Sequence, residues 1–130
     1  MQNPPIKILL IDDDPTINYL NKLVIDMSPV EAKVCERTEA NVALEELSSG
    51  QIEPELILLD INMPEMDGWD FAQSYESLPK NFQKSKIVIL TSSINPRDKE
   101  KAETNQVING FFSKPLTIDS IQEITKTVLN

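Results

Sequence analysis

Three four-residue apolar runs punctuate the chain: Ile8-Leu9-Leu10-Ile11, Leu56-Ile57-Leu58-Leu59 and Ile87-Val88-Ile89-Leu90. Each is bounded by polar or turn residues, and runs of that length read as strands buried on both faces. Val107 to Phe112 is a weaker strand candidate. Val30 to Glu36 alternates, with Val30, Ala32 and Val34 set against Glu31, Lys33 and Cys35, as a half-exposed edge strand does, and Cys35 is expected simply to pack there. Helical spacing fills the gaps. Ile17, Leu20, Leu23, Val24 and Met27 repeat at that spacing, and so do Val42, Ala43 and Leu47 ahead of a stop at Gly50. Trp69 to Tyr75 is a shorter helix, Arg97 to Asn105 a polar one, and Ile118, Ile121, Ile124 and Val128 mark an amphipathic final helix.

A strand-helix unit repeated five times predicts an α/β fold: a five-stranded parallel sheet, doubly wound, in a three-layer sandwich. No repeat or linker interrupts it, so residues 1–130 are expected to form one domain. Ligands in such sheets gather at the carboxyl ends of the strands, near the point where strand order reverses.

The residues at those ends carry the candidate chemistry: Asp12-Asp13-Asp14, Asp60, Thr91 and Lys114. Carboxylates brought together repel and raise each other's pKa. A hard divalent cation relieves that, and Mg2+ suits one or two carboxylates plus water and phosphate oxygens. A nucleophilic carboxylate flanked by a metal and an ammonium is the arrangement that phosphoryl transfer requires. Taken singly, each piece has a plainer reading. Asp14-Pro15 is best read as a helix cap with Pro at the first helical position. Asp12 and Asp13 alone read as turn residues, Thr91-Ser92-Ser93 as a strand-to-loop turn, and Lys114-Pro115 as a loop whose Pro admits a cis bond. Asp60 resists such a reading, because a carboxylate directly after four apolar residues needs a partner.

Charge and composition narrow the rest. Twenty-one acids against twelve bases give a net charge of −9 and a pI near 4.4. That argues against nucleic-acid partners, which need a positive surface, and against docking on anionic lipid. The chain has no histidine, which excludes Ser-His and Cys-His nucleophile pairs and any phosphohistidine of its own. A single cysteine excludes an internal disulfide and, without histidine, argues against structural zinc. The start lacks the features of a signal peptide, and no apolar run approaches the roughly 20 residues of a membrane helix, so a cytoplasmic location is expected.

With these residues in place, the chain resembles the receiver domain of two-component response regulators from Lys7 to Leu129. The densest stretch is Ile57-Leu58-Leu59-Asp60-Ile61-Asn62-Met63-Pro64-Glu65-Met66-Asp67-Gly68. Ile11-Asp12-Asp13-Asp14, Leu90-Thr91-Ser92 and Phe112-Ser113-Lys114-Pro115 fall in the family's order. The resemblance implies a flavodoxin-like (βα)5 fold and a phosphoacceptor switch rather than an enzyme, with at most slow self-phosphorylation from small donors and slow self-dephosphorylation. It implies Asp60 as phosphoacceptor. It implies Asp13 as a direct Mg2+ ligand, Asp12 assisting, and the Asn62 backbone carbonyl as a further ligand beside Asp60. Thr91 and Lys114 would hold phosphoryl oxygens, and Phe111 occupies the switch-aromatic position, where a plain core role is weighed equally. Asn62 and Ser93, two residues after Asp60 and Thr91, would influence phosphate lifetime.

The implied donor is a sensor histidine kinase or a phosphotransfer protein, and the implied output is binding of a downstream protein partner or relay of the phosphoryl group. The reading is of a stand-alone receiver with no effector domain. The expected readout surface is the region from Arg97 to the final helix. Half of the twelve basic residues lie between Lys80 and Lys101 and offer a face for an acidic partner. One alternative uses many of the same residues. Asp12-Asp13-Asp14-Pro15-Thr16 fits the D-x-D-x-T motif of haloacid-dehalogenase-type phosphatases, with Asp12 as nucleophile, Asp14 as general acid, and Thr91 and Lys114 as further motifs. It leaves Asp60 and its long motif unexplained.

Overall fold

The computed structural model describes residues 4–92 and 95–129. Among them, β1 (Ile6–Ile11), β2 (Ala32–Arg37), β3 (Leu56–Asp60), β4 (Lys86–Thr91) and β5 (Ile108–Ser113) alternate with α1 (Pro15–Met27), α2 (Ala40–Ser49), α3 (Gly68–Glu76), α4 (Pro96–Thr104) and α5 (Ile118–Thr127). The polar stretch before β4 contains a 3-10 turn at Lys80–Phe82. All strand pairs are parallel, and the sheet order is β2-β1-β3-β4-β5. The chain leaves β1 on one side to form β2, then returns past it to form β3. Strand order therefore reverses between β1 and β3, and Asp12 and Asp60 stand at the ends of those two strands.

The apolar runs are continuous because each strand feeds two cores. Ile8, Leu10, Leu56, Leu58, Val88 and Leu90 meet Ile25 of α1 and Ile121 and Ile124 of α5. Their neighbours Leu9, Ile11, Ile57, Leu59, Ile87 and Ile89 meet α2 through Leu47, α3 through Phe71 and Tyr75, and α4 through Ala102. Successive strand side chains point to opposite faces, so a strand covered on both sides has no polar position to spare.

Helix ends follow local chemistry. Asp14 caps α1 by accepting from the Thr16 N–H, with Pro15 next in line. Gly50 closes α2 at φ 77, a left-handed conformation that suits glycine. Asp67 and Asp70 form a reciprocal capping box on α3, as Thr117 and Ser120 do on α5. The polar helix is real. Asn95 caps α4, but Ala102 is its one buried residue, and Lys101 reaches across to lie 4.9 Å from the ring centroid of Trp69 on α3.

Two expectations change. Cys35 is exposed on β2, an edge strand of the sheet, on the same side as exposed Lys33. The face of α1 is also turned. Asn18, Asn21 and Ile25 are buried, whereas Leu20, Leu23 and Met27 are exposed, Met27 by 72%. At 3.6 residues per turn, Leu20 lies about 200° round the helix from Asn18, so Leu20, Leu23 and Met27 face away from the sheet, while Ile17 is half-buried and Val24 packs on the core beside Ile25.

Gly68 begins α3 hard against the strand-end loop. Its N–H donates to the Ile61 carbonyl at 2.8 Å, and a Cβ there would lie 2.9 Å from Ile61 Cα and 3.0 Å from the Asp60 carbonyl oxygen. Backbone atoms cannot swing aside as a side-chain tip can. Gly68→Ala is expected to lower stability by about 1–3 kcal/mol in urea unfolding. Unchanged stability would mean that α3 can slide off the Asp60 loop.

Candidate functional site

β1, β3 and β5 deliver three of the four charged groups of the site at their ends. Asp12 follows β1, Asp60 closes β3 and Lys114 follows β5. Lys114 Nζ lies 2.7 Å from Asp12 Oδ2 and 3.1 Å from Asp60 Oδ1, so one ammonium bridges two buried carboxylates. The other Asp12 oxygen, Oδ1, accepts the Asp14 N–H at 2.9 Å. The Asn62 backbone N–H hydrogen-bonds the Asp60 carboxylate. Thr91 is buried at the end of β4, and its carbonyl accepts the Lys114 N–H at 2.7 Å, which ties the ends of β4 and β5 together. The Lys114–Pro115 peptide is cis.

Asp13 is exposed, yet its carboxylate belongs to the same cluster: oxygens of Asp12, Asp13 and Asp60 lie within 4.8 Å of one another. Three carboxylates against one ammonium leave an excess of negative charge. The donors are all hard oxygens, the set that a cation such as Mg2+ or Ca2+ prefers over softer metals. These residues fit a metal on that ground.

The sequence expectations come together at this point for Asp12, Asp13, Asp60 and Lys114, with Thr91 adjoining. Asn62 lies exposed in the loop after Asp60. Phe111 is half-buried, packs on the α2-α3-α4 core and lines a cavity of about 330 Å3 with Lys99, Ala102 and Glu103 of α4. Ser93 lies outside the described residues. Two features escaped the sequence reading. Arg37, at the end of β2, forms a two-pronged ion pair with Glu46 of α2 at 2.6 and 2.9 Å. Asn18 donates from Nδ2 to the Asp12 carbonyl at 3.1 Å. The one available signal for Asn18 was an amide inside a helix, where its propensity is poor.

A family model for the response regulator receiver domain matches residues 8–126. The chain belongs to the response regulator receiver family. A crystal structure of a two-component response regulator from Cytophaga hutchinsonii is 34% identical, with a TM-score of 0.88, over 98% of this chain and 99% of that one. The chemotaxis protein CheY of Halobacterium salinarum is 24% identical over 95% of this chain and 96% of its own length. The hybrid signal transduction histidine kinase C of Dictyostelium discoideum is 28% identical over 94% of this chain, which spans only 10% of that relative. The receiver family is that of phosphoacceptor response regulators in two-component and phosphorelay signalling, and the phosphatase alternative is not favoured. The site agrees. Asp14, the general acid in that alternative, instead caps α1, and Asp12 is held on both its oxygens. No helix among the described residues is long and apolar enough to cross a membrane.

The electrostatics of the site give signs that can be measured. Burial and then the Asp12 charge push the Asp60 pKa above its ordinary 3.8, against the charge and hydrogen bond of Lys114 and the Asn62 N–H, which pull it down. Burial works against the charge of Lys114. Its hydrogen bond to Asp12 and the charges of Asp60 and Asp12 outweigh that, and its pKa stands above 10.5. Between 3.8 and the raised value, folded Asp60 keeps a proton that the unfolded chain has lost, so stability falls as pH rises through that window. The Lys114 contribution is fully present below 10.5 and is lost as pH rises through its folded pKa.

Asp60→Asn is therefore expected to raise the midpoint of urea unfolding above the acidic window in metal-free buffer. Lys114→Met leaves the two buried carboxylates without their cation and is expected to cost about 3 kcal/mol. A carboxyl carbon titration should place Asp60 higher still in the Lys114→Met chain. An Asp60 that titrates at its ordinary value in both chains would remove this account.

Proposed function

We propose that Asp60 is the phosphoacceptor, that Asp12, Asp13, Asp60 and the Asn62 backbone carbonyl hold Mg2+, and that Lys114 and Thr91 receive phosphoryl oxygens. The observation that carries this reading is the shared ammonium: Lys114 stands 2.7 Å from Asp12 and 3.1 Å from Asp60 at the reversal of strand order. Bound Mg2+ would supply positive charge to offset the incoming phosphate.

This chain's own groups do the rest. An ionised Asp60 oxygen attacks phosphorus. A P–O bond forms while the P–N bond of a donor phosphohistidine breaks, and the leaving imidazole keeps the electron pair and takes up a proton. Lys114, released from one carboxylate contact, turns its N–H donors to the phosphoryl oxygens, and the Thr91 hydroxyl supplies another. A phosphohistidine donor must lie outside these 130 residues, which contain no histidine. A sensor histidine kinase or a phosphotransfer protein has that chemistry, and one relative is itself named a hybrid signal transduction histidine kinase.

Output runs through a downstream protein partner or through relay. Phosphorylation adds close to two negative charges beside Lys114 and Thr91. Both anchor the ends of β4 and β5, and Phe111 on β5 lies against weakly packed α4. Thr91 and Phe111 are proposed as the switch pair on that route.

Incubation with Mg2+ and acetyl phosphate should add the mass of one phosphoryl group. Asp60→Asn should abolish the adduct, while Asp12→Asn should slow its formation without removing the acceptor. Lys114→Ala should slow it by about 10²–10³-fold, as expected for loss of a donor to developing charge. An adduct that survives Asp60→Asn and vanishes with Asp12→Asn would overturn the assignment.

A further inference from the structure

Asn18 is 1% exposed and lies on the face of α1 turned to the sheet. Its Nδ2 donates two hydrogen bonds, each of 3.1 Å, one to the Asp12 carbonyl and one to the Arg37 carbonyl. The Asp12 carbonyl belongs to the peptide that joins Asp12 to Asp13. The Asp12 N–H donates to the same Arg37 carbonyl at 3.2 Å. The peptides on both sides of Asp12 are thus held, one by β2 and one by α1. Arg37 is itself braced by Glu46.

The orientation of the amide is fixed by its partners. Exchanging its oxygen and nitrogen would set Oδ1 against two carbonyl oxygens, with no donor between them. In the orientation present, Oδ1 is buried with no hydrogen-bond partner among the described residues. An unpaired buried oxygen is costly. The outward turn of Leu20, Leu23 and Met27 is a second cost to α1. At this rotation the helix also buries Ile25 and packs Val24 on the core, and it holds the Nδ2 bracket on the acid turn.

We infer that Asn18 is a positioning residue for the metal site: it fixes the Asp12–Asp13 peptide, and through it the two carboxylates, and so sets the affinity for Mg2+. The inference rests on the proposed metal role of Asp12 and Asp13. Groups that orient metal ligands without touching the metal typically change affinity by about 10–100-fold when removed. Asn18→Leu keeps the shape and removes both donors. Asn18→Ser keeps one short donor. Asn21→Leu makes the same change at another buried amide of α1, one with no hydrogen bond to the Asp12 peptide.

Mg2+ affinity is measured by calorimetry, and independently from the rise in melting temperature with added Mg2+. Asn18→Leu should weaken Mg2+ about tenfold or more, Asn18→Ser by less, and Asn21→Leu not at all. A purely structural role predicts a lower melting temperature without Mg2+ but unchanged affinity in both Asn18 variants, and that result overturns the inference. Equal weakening in Asn21→Leu overturns it too. If Asn18→Leu does not fold, Asn18→Ser decides the matter: weakened binding supports the inference and wild-type affinity rejects it. Failure of the unaltered chain to bind Mg2+ would sink the metal reading itself, whereas normal binding there with no loss at Asn18 sinks only the role of Asn18.

Discussion

The site depends on one ammonium shared between two buried carboxylates. Asp12 and Asp60 approach because β1 and β3 are neighbours in register at the reversal of strand order. Left alone, two such charges would repel with little solvent between them. Lys114 makes the meeting tolerable, and its own position is set by the backbone bond to Thr91 at the end of β4. The doubly wound sheet is therefore more than a platform. Four strand ends must keep their register for a single Nζ to remain within 2.7 and 3.1 Å of its two partners.

Much of this was legible in the chain. Four-residue apolar runs of Ile, Leu and Val can only be buried on both faces, and that alone gave the parallel sheet and put Asp60 at a strand end. Asp14-Pro15 and Gly50 marked helix ends because their chemistry is local. The face of α1 was not legible. Leu20, Leu23 and Met27 have the spacing of a core stripe, but the buried side carries Ile25 together with the Asn18 bonds to the Asp12 and Arg37 carbonyls, and those bonds are long-range contacts that no periodicity encodes. Cys35 is a different case: the alternation already grouped it with Glu31 and Lys33, and all three lie on the exposed side of the edge strand, so only the expectation that a lone cysteine packs was wrong. Lys114 was legible as a charge, but its double contact was not, because that depends on residues about fifty and a hundred positions away.

The helices are not equally firmly held to the sheet. α1 and α5 close over Ile25, Ile121 and Ile124, all fully buried. On the other side, α4 contributes only Ala102 to the core, and a cavity of about 330 Å3 lies between it and Phe111 of β5. The Lys101 contact with Trp69 compensates in part, since a cation over an aromatic ring contributes about 0.5–1 kcal/mol at an exposed site. Elements with few buried apolar contacts open at low cost. In the proposed switch, α4 is accordingly the element with least to lose by moving.

That asymmetry bears on how a charge at Asp60 would be read. A ligand or modification shifts an equilibrium only by the difference in its interaction with the two states. A phosphoryl group on Asp60, as proposed, would compete for the ammonium that now holds Asp12 and would draw on the Thr91 end of β4. Both residues are joined by the 2.7 Å bond between the Thr91 carbonyl and the Lys114 N–H, so movement at either is felt by the other. Downstream of that bond lie β5, Phe111 and the loosely held α4. On the opposite side lies the acid turn, clamped by Asn18 and Arg37. In the proposed switch, a site held firmly at its acid turn and less firmly on the α4 side would direct the response toward α4 and β5, where rearrangement costs least.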